Sequence, residues 1–274
     1  MPGQSEPVLY EQEGAIVTVT LNRPEVMNNF GGGLIEGLAA AADRFDADPS
    51  AHVMILTGNG RAFCAGADLK AAEKRIREGG SVSDPSSAGA RQREALFENP
   101  KFVRRTNFFK PMIGAINGYC VAGGLEVALA CHFLIGAESS KYGILTRRWG
   151  GPTVDGGTYR LPLWVGLGNA LYLLQTGKQI DAQEAFRIGL IQEVVPDDEL
   201  LPRARAIAEN LAAVPQGALV GDTEATLRGL GRRYDDALAL EAIIASTVHM
   251  SGEAVGRFVR KDYDPETGQS KASG

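Results

Sequence analysis

Two glycine-rich segments constrain this chain more than anything else in it. Residues 61–69 read RAFCAGADL and residues 117–127 read NGYCVAGGLEV. Each follows a short apolar stretch, 53–57 in the first case and 112–116 in the second, and each runs into a predicted helix start. A continuous apolar run of this length fits a strand buried on both faces. A strand that turns through Gly and Ala into a helix leaves backbone N–H groups without partners at the turn, and such helix starts favour negative charge. Two of them facing one oxygen form a preorganised donor pair for an enolate or a tetrahedral oxyanion. Glu126, in the first turn of the second helix, stands beside the place that oxygen would occupy.

Composition narrows the classes of function. The 274 residues suffice for a sizeable core, and no apolar run approaches the length of a membrane span. A net charge of −5 leaves no electrostatic footprint for nucleic acid. The local basic pairs Arg104-Arg105 and Arg147-Arg148 read as solvated or ion-paired arginines. Cys64, Cys120 and Cys131 cannot all pair with one another, and their spacing fits neither a zinc site nor a disulfide framework. That usage points to a reducing compartment. The N-terminal MPGQSEP has neither a cationic start nor an apolar core, so cytoplasm is expected.

Along the chain, residues 8–11 and 16–21 read as a hairpin turning at Glu13-Gly14. Residues 34–45 have helical periodicity, and 52–57, 112–116 and 133–137 read as buried strands. A helix is expected over 68–78 behind Asp68, a polar loop over 79–90, and a second helix over 91–107 interrupted at Pro100. Residues 147–160 read as Gly-rich loop, with a helix opening near Gly157. From Asn169 the pattern turns helical, with 171–175, 182–188, 201–211, 217–230 and 234–250 in helical period and only 192–195 strand-like. The expected organisation is a body over 1–196 and a helical region over 197–274 that covers the body or joins subunits. Residues 262–274 are polar and expected to fray. Both glycine-rich segments share an order of apolar strand, Asn-Gly, Ala-Gly and helix, a weak internal repeat of β-β-α type.

Residues 20–29 (TLNRPEVMNN), 56–70 (LTGNGRAFCAGADLK), 111–131 (PMIGAINGYCVAGGLEVALAC) and 156–196 together resemble the crotonase superfamily, the enoyl-CoA hydratase/isomerase family. The resemblance implies an α/β fold of β-β-α units coiled into a spiral, with a C-terminal helical region that builds homotrimers, often paired into hexamers. It implies an acyl-CoA thioester as partner, bound through residues Ala67, Asp68, Leu69, Lys70 and Gly123. The thioester carbonyl would sit in an oxyanion hole made by the amides of Ala67 and Gly123. No metal or redox cofactor is implied, coenzyme A being part of the substrate.

Members of that family that hydrate use two glutamates. Glu126, in AGGLE, matches the one that activates water, and burial against Val121, Leu125 and Leu129 would raise its pKa toward a useful range. The second is absent: where relatives read FG-x-P-E this chain reads YGILT over 142–146, so Thr146 stands in its place. Asp155, in VDGGTYRL, is the compensating catalytic residue by resemblance to members that isomerise dienoyl thioesters, and its position also suits a helix cap. Should it face Glu126, the two carboxylates would split their pKa values into an acid and a base. The expected activity is hydration or dehydration of 2-enoyl-CoA thioesters through an enolate. The alternatives are double-bond isomerisation, hydrolysis on the same oxyanion hole, and acyl-CoA binding without turnover. His132 reads as a surface or packing residue, and Trp149 and Tyr119 as core or acyl-pocket aromatics.

Overall fold

A computed structural model describes residues 6–78, 102–248 and 255–256 of the chain. The expected loop over 79–90, most of the helix over 91–107 and the tail over 262–274 lie outside the described residues.

Two sheets share the body. Strands β1 (Val8–Glu13) and β2 (Ile16–Leu21) form the antiparallel hairpin, turning at Gly14-Ala15. Strands β3 (Val53–Gly58), β5 (Met112–Ile116), β7 (Phe133–Ala137) and β10 (Glu193–Val195) extend it in parallel, giving the order β1-β2-β3-β5-β7-β10. The second sheet is built from much shorter strands, β4 (Ala62–Cys64), β6 (Tyr119–Val121), β8 (Lys141–Gly143) and β9 (Ile180–Asp181), in the order β4-β6-β8-β9. Successive pairs β3/β4, β5/β6 and β7/β8 each place one strand in either sheet. The weak repeat in the sequence is therefore a real structural repeat, wound along the two sheets.

Strand β3 shows how this layering follows from side-chain alternation. Val53 and Ile55 face one apolar cluster, whereas Met54 and Leu56 face the other. The Met54 and Leu56 face is closed by helix α1 (Leu34–Ala47) through Leu34, Leu38, Ala41, Ala42 and Phe45, the stripe that its periodicity predicts. The opposite face is closed by helix α6 (Leu200–Ala213) through Leu200, Ala204 and Ala208. Being buried on both sides, β3 carries no polar residue until Thr57, whose Oγ1 donates to the Ala115 carbonyl at 2.9 Å.

The intervening helices are α2 (Leu69–Arg77), α3 (Gly123–Ala128), α4 (Gly157–Thr176, kinked at Gly166) and α5 (Ala182–Arg187). Helices α7 (Gln216–Gly229) and α8 (Tyr234–Thr247) follow α6 and pack on each other. The helix expected over 91–107 does not reach its end. Of its described residues, 102–107, Phe102–Arg104 form a single 3-10 turn, because Phe102 and Val103 are drawn into the core and the chain then straightens toward β5. Thr146 likewise lies in a 3-10 turn, Leu145–Trp149, inside the stretch preceding α4.

Candidate active site

The site is assembled where the two glycine-rich turns touch. Gly66 follows β4 with φ +78°, and a Cβ built there would lie 2.5 Å from the Gly123 nitrogen and 3.1 Å from its Cα. Only glycine permits this approach. Gly123 opens α3, so its N–H has no intrahelical acceptor. The residue before it, Ala122, takes φ 53° and ψ −129°, a sparsely populated conformation for a residue with a Cβ. It is held there by its own N–H, which donates to the Gly143 carbonyl at 2.8 Å. A Cβ at Gly123 would strike the Phe30 ring at 2.4 Å, so Phe30 roofs the contact.

A polar knot beneath the first turn sets its position. Met27 and Asn28 both adopt left-handed backbone conformations. The Met27 carbonyl accepts from the Ala65 N–H at 3.0 Å, and the Phe30 N–H donates to the Gly66 carbonyl at 2.8 Å. Fully buried Asn28 donates through Nδ2 to the carbonyls of Asn59 and Ala62 and accepts from the Arg23 N–H at Oδ1. The TLNRPEVMNN segment thus braces the turn of residues 64–67. Ala67, Leu69 and Lys70 lie at the surface beyond it and Asp68 is half-buried, its carboxylate next to Gly31.

Glu126 is 2 % exposed, in a helix whose other residues are Gly, Leu, Val and Ala. Its Oε1 accepts two backbone bonds, from the Asp155 N–H at 2.7 Å and from the Gly157 N–H at 2.9 Å. Both end on the same oxygen. Desolvation raises the Glu126 pKa above its ordinary value, and the nearby Asp155 charge adds to the rise. The bonds from Gly157 and Asp155 and the charge of Arg104 oppose it.

Asp155 meets Glu126 through its backbone. Its carboxylate forms an ion pair with Arg104 at 3.6 Å, both side chains being largely shielded from solvent. It does not cap α4 either. The cap position is Gly156, in a left-handed conformation, and no side chain caps the helix. Arg104 also donates to the Val154 carbonyl at 2.8 Å. The 3-10 turn carrying it is tied to α4 by Arg160, whose Nη1 donates to the Val103 carbonyl at 2.5 Å.

Gly157, Arg104, Arg160, Phe30 and Asn28 carry no signal of a role when the sequence is read by motif. Arg104, read with Arg105 as a solvated or ion-paired arginine, is ion-paired, and the structure supplies its partner, Asp155. Asn28, a polar residue in a run of turn formers, was the one findable from sequence, since buried Asn is usual where a tight turn needs its carbonyls and amides satisfied. Trp149, 70 % exposed, and Tyr119 at the surface border neither of two hollows among the described residues. Asp155, Phe30, Ile35, Glu36 and Val103 border a hollow of 140 Å³, whereas the larger one of 760 Å³ opens between α7 and the body. No group of three or more potential metal ligands occurs among the described residues, and no helix among them is long and apolar enough to cross a membrane.

Residues 11–261 match the family described as Enoyl-CoA hydratase/isomerase. The crotonyl-CoA hydratase of Syntrophomonas wolfei is 34 % identical, over 86 % of this chain and 87 % of its own. Among solved structures, the enoyl-CoA hydratase of Bacillus anthracis superposes with a TM-score of 0.81 at 31 % identity, over 93 % of this chain and 97 % of that one. The enoyl-CoA hydratase of Mycobacterium tuberculosis H37Rv gives 0.80 at 32 % identity over the same shares.

Proposed function

The chain belongs to the enoyl-CoA hydratase/isomerase family, and from that premise we propose that it is a lyase adding water across, or removing it from, the Cα=Cβ bond of 2-enoyl-CoA thioesters. The observation that carries this reading is the placement of Glu126. A buried carboxyl is fixed through one oxygen by two backbone N–H groups, in the helix that begins at the Gly66–Gly123 contact. The amides of Ala67 and Gly123 receive the thioester carbonyl, and the segment from Ala67 to Lys70 with Gly123 binds the coenzyme A portion. In the direction of hydration, ionised Oε2 of Glu126 takes a proton from water as its oxygen bonds to Cβ. The π electrons move to the carbonyl oxygen as an enolate, whose charge the two amides stabilise by about 3 kcal/mol for each donor. The same carboxyl then returns the proton to Cα. Asp155 assists by the charge it sets beside Glu126. No electrons are exchanged with an external acceptor, so the reaction calls for no redox cofactor.

Exposed apolar side chains on α4 and α8, among them Tyr159, Leu163, Leu167, Tyr234, Leu238 and Ile243, support assembly into a homotrimer or a pair of trimers. Three buried free cysteines support a reducing, cytoplasmic location. The test of activity is the ultraviolet absorbance of the conjugated enoyl thioester. A hydratase bleaches it in a 2-enoyl-CoA substrate. A second reading, isomerisation, is favoured by the single observation that Thr146 replaces the second glutamate while Asp155 adjoins Glu126. It predicts that absorbance appears from a 3-enoyl-CoA substrate and that a 2-enoyl thioester is not hydrated.

A further inference from the structure

The segment between β8 and α4, residues 144–156, carries two hydroxyl side chains, Thr146 and Thr153. The Oγ1 atoms of both are buried and have no hydrogen-bond partner among the described residues. A buried hydroxyl without a partner is costly, and a valine of the same shape would avoid that cost. Such a group in a native interior is ordinarily met by water or by a ligand. Thr153 is the one whose surroundings are chemical. Its methyl carbon lies 2.9 Å from the position a Cβ would take at Gly157, and that same position is 3.0 Å from Cγ and 3.1 Å from Oε1 of Glu126. Thr153 and Glu126 therefore both border the one point that a side chain at Gly157 would occupy.

We propose that Thr153 positions the water that adds to Cβ, a task left open by the absence of a second glutamate. This rests on the hydratase reading given above. The Thr153 hydroxyl accepts one hydrogen of the water, which leaves the other directed at Oε2 of Glu126 and a lone pair directed at Cβ. Thr153 neither gains nor loses a proton. The water's oxygen bonds to Cβ, its released proton passes to Glu126, and that carboxyl delivers a proton to Cα. Thr153 is thus a positioning residue, acting through the water rather than on the thioester.

The test compares Thr153→Val and Thr153→Ser with the unaltered protein in two assays, hydration of 2-butenoyl-CoA and exchange of the α-protons of butanoyl-CoA in deuterium oxide. Exchange uses Glu126 and the oxyanion donors but needs no water at Cβ. For Thr153→Val the expected result is a fall in hydration kcat of about ten- to a hundredfold, at least tenfold beyond any fall in exchange, with KM within about twofold. Thr153→Ser, which keeps the hydroxyl, stays within about threefold of the unaltered protein. Equal hydration by the valine variant overturns the proposal, as does equal loss in the serine variant or a parallel fall in exchange, since those mark packing alone. An unaltered protein that exchanges α-protons yet hydrates no 2-enoyl thioester overturns the hydratase reading and this proposal together.

Discussion

The carboxylate of Glu126 is seated directly on the backbone of Gly157: Oε1 accepts the Gly157 N–H at 2.9 Å, and a Cβ at 157 would lie 3.0 Å from the Glu126 Cγ. The glycine that opens α4 is thus required by the glutamate on α3. Gly157→Ala is expected to displace the carboxylate by a few tenths of an ångström and to press on Thr153 at 2.9 Å as well. Misplacement of a reacting group by such distances slows chemistry more than it weakens binding. Steady-state kinetics of this variant should show kcat reduced roughly tenfold or more with KM little changed. A protein of unaltered kcat would show that Glu126 does not act from this seat.

Replacing the carboxyl itself separates catalysis from stability. Glu126→Gln is expected to cost at least about a hundredfold in rate, as for loss of a general acid–base group. Its effect on stability has the opposite sign at neutral pH. Burial raises the Glu126 pKa above 4.5, so the folded state favours the neutral acid. That stabilising contribution is complete below the unfolded value and disappears as pH rises through the folded one. Thermal unfolding followed from pH 4 upward should therefore show the variant gaining on the unaltered protein with rising pH. The acid limb of kcat/KM should have its midpoint above 4.5, because the base must be ionised.

Asp155 and Arg104 tune that midpoint from opposite sides. The Asp155 charge raises the Glu126 pKa and the Arg104 charge lowers it. Asp155→Asn keeps the backbone N–H that binds Oε1, so it removes charge without removing the hydrogen bond. The acid limb of kcat/KM should move to lower pH in Asp155→Asn and to higher pH in Arg104→Met. With the two changes combined, the shifts should not simply add, since each arm also breaks the 3.6 Å pair. Under the isomerisation reading, in which Asp155 shares the proton transfer with Glu126, the plateau rate of Asp155→Asn falls too, by about tenfold or more. An acid limb that does not move in Asp155→Asn would remove Asp155 from the electrostatics of the site, and one that does not move in Arg104→Met would remove Arg104.

Much of this was legible in the sequence, and the failures have a common cause. The strands Met112–Ile116 and Phe133–Ala137 and the helix start at Gly157 fall where the residues place them, because long apolar runs and a double glycine are local signals. Strands β4, β6, β8 and β9 were not read, since two or three residues are too few to show a period of two. Glu126 was legible as a charge in an otherwise apolar helix. Its partners were not, because the bonds come from backbone N–H groups that any residue but proline can offer. Asp155 was singled out for its carboxylate, and its recorded bond to Glu126 is made by its amide. Arg104 reaches it across 51 residues of chain, a relationship that composition cannot reveal.

The contact between the two glycine turns should tolerate no side chain. Gly123→Ala would bring a methyl group to 2.4 Å from the Phe30 ring. Phe30 is half-buried and can yield, whereas the backbone of Gly66 on the other side, 3.5 Å away, is fixed by the Phe30 and Ala65 hydrogen bonds. The single variant is expected to lose about 1–3 kcal/mol of stability by overpacking. Phe30→Leu in the same chain should recover part of that loss, and the coupling is read from denaturant unfolding of the double-mutant cycle. Activity should not recover with stability, because the added methyl still crowds the thioester position.

His132, read from the sequence as a surface or packing residue, joins the end of α3 to the entry of β5. Its Nδ1 accepts the Met112 N–H at 3.3 Å, which leaves Nε2 to donate to the Phe108 carbonyl at 3.2 Å. That pairing requires the neutral ring, and burial lowers the pKa below 6.5. For a group depressed in the folded state, the stabilisation is present above the unfolded pKa and is lost as pH falls through the folded one. Unfolding free energy should therefore decline on acidification from pH 6.5 downward, and this part of the decline should vanish in His132→Phe. At neutral pH that variant leaves the Met112 N–H and the Phe108 carbonyl without this partner, at a cost of about 1–3 kcal/mol. The rate of a correctly folded His132→Phe protein should remain that of the unaltered enzyme, because the histidine touches the strand that positions the site and not the site itself. A rate that falls as sharply as in Glu126→Gln would instead place His132 among the proton-transferring groups.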